Sequence, residues 1–296
     1  MDTPIFPEKR AAKDTIFTRK HSLNLGGKLC LMERPWVMGI LNTTPDSFFS
    51  QSRAMLEDDI RQAIRKMLEE GADIIDVGAA STRPGAKAIE PKEEIKRIQP
   101  ALKILAREFP DTKVSVDTYQ SEVARAAVDM GAHMINDISG GSLDDQMFLT
   151  VAELKVPYVL MHLQGTPENM QNDPRYKDVF REVAYYFSEK IRNLLDLGVN
   201  DIILDPGFGF GKTDVHNYTL MNHLYDLKVF DRPVLVGLSR KSMINRILDI
   251  SANEALNGTT VLNTIALQKG ASILRVHDVK EAVEAVKIVT FTQNLD

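Results

Sequence analysis

An α/β chain closed into a (β/α)8 TIM barrel is the fold class this sequence predicts, on three observations. One unit recurs: EEGADIIDVG, DMGAHMINDIS, DLGVNDIILDPG and QKGASILRVHD each read as a helix end, a glycine, a short aliphatic strand and polar residues. Eight such strand–helix units fit over about 255 residues from Trp36 onward, the usual size of a closed barrel. A dinucleotide fingerprint, which would favour a doubly wound open sheet, is missing.

Residues 1–20 hold Pro4, Pro7 and scattered charges without periodicity, and read as a flexible N-terminal extension. Residues 22–34 place Gly26-Gly27 between short mixed runs, the pattern of a hairpin capping the fold. Strands are predicted over 36–42, 73–77, 113–117, 133–136, 157–161, 201–205, 233–238 and 272–276. Helical periodicity fills 55–70, 92–108, 120–130, 176–197, 254–269 and 278–291, with weaker helices near 143–153 and 214–228. Gly71, Gly131, Gly198 and Gly270 stand where a left-handed residue closes a helix. No linker or composition break divides the chain, so residues 21–296 read as one barrel domain.

Composition excludes several function classes. Hydrophobic residues make up 44% and charged ones 26%, a globular balance. The net charge of −5, from 36 basic and 41 acidic residues without a long basic run, argues against a nucleic-acid surface. A single cysteine, Cys30, forms no internal disulfide and fits a reducing compartment. The start, MDTPIFPEKRAAKD, has no apolar signal core. Nor does any apolar run approach the roughly 18 residues that span a bilayer. A cytoplasmic protein with neither membrane nor nucleic-acid partners is expected.

The densest chemistry lies in residues 201–212, DIILDPGFGFGK. Asp205 shares strand parity with Ile203, so a carboxylate stands at the rim of an apolar core, where it needs a partner. Two adjacent N–H groups, on a guanidine-like heterocycle edge or an arginine, would suit it. The glycines do not make a phosphate loop: counting back from Gly211-Lys212-Thr213 puts Pro206 where the first Walker glycine belongs.

A barrel enzyme works at the C-terminal ends of its strands. Those ends read Asn42, Asp76, Asp117, Asn136, His162, Asp205, Ser239 and His277. Asn42 alternates with Met38 and Ile40, Asp117 with Ser115, Asn136 with Met134, and His277 with Arg275, so these project together from the mouth. Capping the next helix would explain any one of them, as for Asp278 and Ser142, but not so many with inward parity. Arg275 inside an aliphatic strand requires an anion or a carboxylate partner. The loops NTTPDSFF (42–49) and STRPG (81–85) should overhang the mouth. The SRKS stretch, 239–242, offers Arg240, Lys241 and Ser242 at a helix start, a receptor for carboxylate or phosphate.

Through these motifs the sequence closely resembles the dihydropteroate synthase family from about residue 36 to 291. The match runs through MGILNTTPDSF, STRPGA, SVDTY, INDISGG, MHLQGTPENMQ, DPGFGFGK, SRKS and ILRVHDV. The resemblance implies condensation of 6-hydroxymethyl-7,8-dihydropterin pyrophosphate with p-aminobenzoate, SN1-like and assisted by Mg2+. It implies a pterin pocket of Asp117, Asn136, Ile138, Met161, Asp205, Phe210, Gly237 and Lys241. A p-aminobenzoate slot is implied from Thr82, Arg83, Pro84, Phe210, Lys241 and Ser242, and a diphosphate site from Asn42, Arg275 and His277, Asn42 also meeting the metal. Asp46, Lys241, Arg275 and His277 are the implied catalytic groups, with Asp46 steadying a pterin cation. Sulfonamide inhibition and a homodimer are implied as well, the last two helices being candidates for its surface.

The sequence departs from the family at FSQSR, residues 49–53, where an Asp-Gly-Gly stretch is common, and at Ala80, where Glu is common. Three rival readings stand beside it. A pterin-binding methyltransferase barrel would share the carboxylate–amide pocket without needing the TPDSF and STRPG loops. A Schiff-base aldolase would use Lys241, but the neighbouring Arg240 and helix start suggest a charged, solvated lysine acting as a donor. A non-catalytic pterin-binding paralogue would not need every reacting group.

Overall fold

The structure is a computed structural model and describes residues 21–43, 53–79 and 89–295. The hairpin forms first in the chain, β1 (Ser22–Leu25) pairing antiparallel with β2 (Lys28–Leu31). Eight parallel strands follow: β3 (Trp36–Asn42), β4 (Ile74–Gly78), β5 (Lys113–Asp117), β6 (Met134–Asp137), β7 (Tyr158–Met161), β8 (Ile202–Asp205), β9 (Leu235–Val236) and β10 (Ile273–Val276). Their order is β8-β7-β6-β5-β4-β3-β10-β9, and a parallel bridge between Leu204 and Val234 joins the two ends. The sheet is therefore closed into a barrel.

Alternation along each strand builds two cores. Inward residues Trp36, Met38, Ile74, Met134, Val159, Ile203, Leu235 and Ile273 pack together with Leu23, Leu25 and Met32 of the hairpin region. The hairpin that the Gly-Gly pattern predicts thus plugs the N-terminal end of the barrel. Outward residues such as Val37, Val77, Val116, Ile135, Leu160 and Leu204 lie in the larger cluster with the surrounding helices.

Those helices are α1 (Arg53–Glu69), α2 (Pro91–Glu108), α3 (Ser121–Asp129), α4 (Met147–Leu154), α5 (Val179–Asp196), α6 (Asp214–Asn222), α7 (Ser242–Leu248), α8 (Leu256–Gln268) and α9 (Val279–Gln293). Gly71, Gly131, Gly198 and Gly270 take φ between 85 and 100°. At each, the glycine N–H reaches back three residues and the next N–H five, as in Gly71 to Leu68 and Ala72 to Met67. A strand follows after two or three residues, which is how one repeated signal yields the same unit each time.

Three expectations need correction. The strand at 233–238 is only Leu235–Val236, because Pro233 has no N–H for the ladder and Gly237 already belongs to the mouth. The helix at 214–228 stops at Asn222 and continues as a 3-10 turn over Leu224–Phe230. Asp278 precedes α9 without a side-chain cap bond, and Ser142 lies before α4, donating instead to the Ser139 carbonyl at 2.7 Å.

Candidate active site

One charged cluster occupies the C-terminal end of the barrel. Arg275 on β10 donates through Nε to Asp76 Oδ2 on β4 at 2.7 Å, and through Nη2 to Asp117 Oδ2 on β5 at 2.6 Å. Asn136 on β6 donates from Nδ2 to the same Asp76 oxygen at 3.1 Å. Side chains separated by up to 199 positions meet here because the strand register stacks them: Asp117 lies beside Asn136, and Ile40 beside Asp76. The partner that this half-buried arginine requires is thus a pair of carboxylates.

A second group closes the opposite wall. Asp205 at the end of β8 accepts from the Gly207 N–H through Oδ1 at 2.8 Å. Lys241 donates to the Phe208 carbonyl, and its Nζ lies 4.7 Å from the centre of the Phe210 ring. Gly237 comes between the two walls: a Cβ there would lie 3.8 Å from Lys241 Nζ and 3.9 Å from Arg275 Cβ. Ile138, Met161, Leu163 and Met170 pack with Tyr119 and Phe210 as an apolar surface beside these charges.

Burial sets the electrostatics. It pushes the Asp117 carboxyl up to about 7, with Arg275 opposing, and raises Asp205, with Lys241 opposing. Burial lowers Lys241 to about 8 against the pull of Asp205. Burial also works against the Arg275 charge, but Asp76 and Asp117 hold its pKa above the ordinary arginine value. The mouth therefore presents carboxylate acceptors and cationic donors fixed a few ångströms apart, a surface suited to a polar heterocycle bearing an anionic tail.

At the rim, Asn42 ends β3 exposed, and His277 follows β10 with its Nδ1 3.0 Å from Ser239 Oγ. Ser242 opens α7, also exposed. Asp46, Thr82, Arg83 and Pro84 lie outside the described residues.

The comparisons agree with this geometry. Residues 38–277 match the family described as pterin binding enzyme. Dihydropteroate synthase of Escherichia coli K12 is 46% identical over 265 residues, covering 88% of this chain and 93% of its own. A crystal structure of Yersinia pestis dihydropteroate synthase with a sulfonamide drug complex matches at 42% identity with a TM-score of 0.86, over 93% of this chain and all of that one. The Xanthomonas albilineans enzyme in complex with 7,8-dihydropteroate matches at 33% identity and a TM-score of 0.80, covering 92% and 98%. The chain belongs to the dihydropteroate synthases.

Measured against what the sequence suggests for a dihydropteroate synthase, Asp117, Asn136, Ile138, Met161, Asp205, Phe210, Gly237, Lys241 and Arg275 come together at one mouth. Some strand-end residues serve elsewhere. Arg240 is not an open anion receptor: its guanidinium is tied to Asp278 at 2.8 and 2.9 Å and to the carbonyls of Ala252 and Asn253. Lys241 is half-buried, not solvated. His162 lies under the glycine loop, its Nδ1 3.0 Å from the buried Lys212. Asp76 is the residue that sequence reasoning places at a strand end without a role, although its parity with Ile74 and its charge inside an aliphatic strand both point inward.

Proposed function

We propose that this mouth joins the methylene carbon of 6-hydroxymethyl-7,8-dihydropterin pyrophosphate to the amine of p-aminobenzoate, by an SN1-like route assisted by Mg2+. The products are 7,8-dihydropteroate and pyrophosphate. The observation that carries the reading is the convergence of Asp117, Asn136, Asp205, Lys241 and Arg275 from five separate strand ends. The relative solved with 7,8-dihydropteroate supports it.

Asp205 receives the adjacent amino and ring N–H donors of the pterin, one of its oxygens already steadied by the Gly207 N–H. Asp117 and Asn136 complete the other ring edge, and Lys241 donates to the ring carbonyl. Ile138, Met161 and Phe210 contact the ring faces, while the absent side chain at Gly237 lets the heterocycle approach the backbone. Arg275 and His277 hold the diphosphate. The C–O bond at the methylene breaks with its electron pair leaving on the diphosphate, and the resulting cation spreads into the dihydropterin ring. Asp46, on the loop after β3, steadies that cation. The p-aminobenzoate nitrogen attacks from a slot formed by Thr82, Arg83, Pro84, Phe210, Lys241 and Ser242, then loses its proton. Sulfonamides compete for the same slot, a reading supported by the Yersinia pestis complex.

Mg2+ fits the donor set. No group of three His, Cys, Asp or Glu side chains among the described residues could hold a metal, whereas Asn42 is an exposed amide residue at the rim. A cation that takes few protein ligands and completes its shell with phosphate oxygens and water suits such an anchor. When bound, it supplies charge neutralisation to the departing diphosphate.

We also propose a cytoplasmic homodimer; the single free cysteine, Cys30, fits a reducing compartment. Ile247 and Leu248 on α7, Val261 on α8 and Ile288 and Phe291 on α9 leave apolar side chains exposed on neighbouring helices. Light scattering at twice the chain mass is the expected result; a monomer at all concentrations would remove the dimer. The reaction itself is tested by incubating purified protein with the pterin pyrophosphate, p-aminobenzoate and Mg2+, and detecting dihydropteroate by mass. Pyrophosphate release without a coupled product, or no turnover, would refute the proposal.

A further inference from the structure

We infer that Asp76 is a positioning residue of this site: it holds Arg275 throughout, so that Asp117 is the partner Arg275 surrenders when substrate enters. The inference rests on the function proposed above, in which Asp117 meets the pterin and Arg275 the diphosphate.

The two carboxylates hold Arg275 differently. Asp76 is fully buried inside the barrel and binds Nε, the guanidinium nitrogen nearest the chain, at 2.7 Å. Asp117 lies nearer the opening and binds the outer Nη2 at 2.6 Å. A small swing of the guanidinium plane about Nε moves Nη2 away from Asp117 while keeping the inner bond. Nη1 makes no hydrogen bond among the described residues, so the group can present two donors to phosphate oxygens after the swing.

Asp76 also sets Asn136. The oxygen that accepts from Arg275 accepts one Nδ2 hydrogen of Asn136 at 3.1 Å, which fixes which end of the amide carries the donors. The Asn136 carbonyl and its second N–H then form an acceptor–donor pair matched to the edge of an aminopyrimidine. One buried carboxylate thereby fixes one residue assigned to the ring and one assigned to its tail.

Asp76→Asn separates this role from that of a mere counter-ion. Without the Asp76 charge, Asp117 becomes the only carboxylate bonded to Arg275, their pair tightens, and Asp117 is less available to the pterin. For the guanidinium, the loss of one of its two counter-charges offsets the tighter hold of Asp117, so it attracts diphosphate at least as well as before. Calorimetry should show D76N binding 6-hydroxymethylpterin about tenfold more weakly than wild type, with pyrophosphate–Mg2+ affinity unchanged or increased. Equal losses for both ligands, a loss confined to pyrophosphate, or no change in either overturns the inference. Wild-type protein that binds neither ligand overturns the proposed function, and this inference with it. Should D76N fail to fold, a crystal structure of the wild type with 6-hydroxymethylpterin and pyrophosphate decides. Arg275 Nε still on Asp76 with Nη2 off Asp117 supports the inference, and either the reverse or an intact Arg275–Asp117 pair overturns it.

Discussion

A carboxylate at the mouth of an apolar barrel is stable only with donors around it, and Asp205 has one backbone N–H and the nearby Lys241. Its remaining acceptor capacity is what a ring amidine edge would use. Asp205→Asn should therefore weaken pterin binding by about 3 kcal/mol, roughly a hundredfold, and calorimetry with a pterin analogue checks it. Unchanged affinity would remove Asp205 from that role. Asp117 gives a prediction about pH. Burial raises its carboxyl from 3.8 to about 7, so between those values the folded protein holds a proton that the unfolded chain has released. The stability this contributes is complete below pH 3.8 and is lost as pH rises through 7. Thermal melts of Asp117→Asn should show a flatter pH dependence across that window than wild type; an identical slope would contradict the assignment. Charges inside aliphatic strands are what made these residues legible, since Asp117, Asp205 and Arg275 each break a hydrophobic run. Which carboxylate Arg275 selects was not legible, because Asp76, Asp117 and Asp205 share the same inward parity and only the strand register decides.

Among the elements, the glycine loop after β8 shows why a motif can be visible while its mechanics are hidden. Lys212, almost fully buried, donates to the carbonyls of Gly207 at 3.0 Å, Phe210 at 2.9 Å and His162 at 3.3 Å. Burial lowers it to about 7. Three of its four bonds go to backbone oxygens, which no residue pattern encodes, so a lysine that superficially completes a phosphate loop is instead the pin of a turn. The same loop separates two glycines that look equivalent in sequence. Gly207 has φ +69°, and a Cβ would come within 2.0 Å of the His162 carbonyl oxygen, a backbone atom that cannot move aside. Gly209 has φ +81°, but its nearest neighbour would be the flexible Lys241 side chain at 3.3 Å. Gly207→Ala should cost at least about 3 kcal/mol and Gly209→Ala about 1 kcal/mol in urea unfolding. The reverse order would show that the loop is not held as described. The recurrent helix–glycine–strand unit, by contrast, was fully legible, because its Schellman-type closure depends on glycine itself.

For the whole molecule, eight strand–helix units, four of them opened by that glycine closure, announce a barrel, but its closure and its plug depend on long-range packing. The ends of the sheet meet through the isolated Leu204–Val234 bridge and the Leu204 N–H to Pro233 carbonyl bond at 2.9 Å, beside a strand of two residues. Local pattern overstates that strand because its hydrophobic run continues past the point where pairing ends. The opposite end is closed by the hairpin, whose Leu23 and Leu25 alternate inward against Trp36, Met134, Ile203 and Ile273. A layer of apolar side chains stands between this plug and the charged mouth, so stability and chemistry are assigned to opposite ends of one structure. Leu23 is 1% exposed, and replacing it by alanine should cost about 3 kcal/mol through lost burial and the cavity left behind. The rigid interior layer should keep that loss from the mouth. Denaturant unfolding of Leu23→Ala is therefore expected to shift its midpoint while pterin affinity, measured well below the transition, stays within about twofold of wild type. A matching loss of affinity would mean that the plug and the mouth are coupled through the barrel interior, and that the two ends do not act separately.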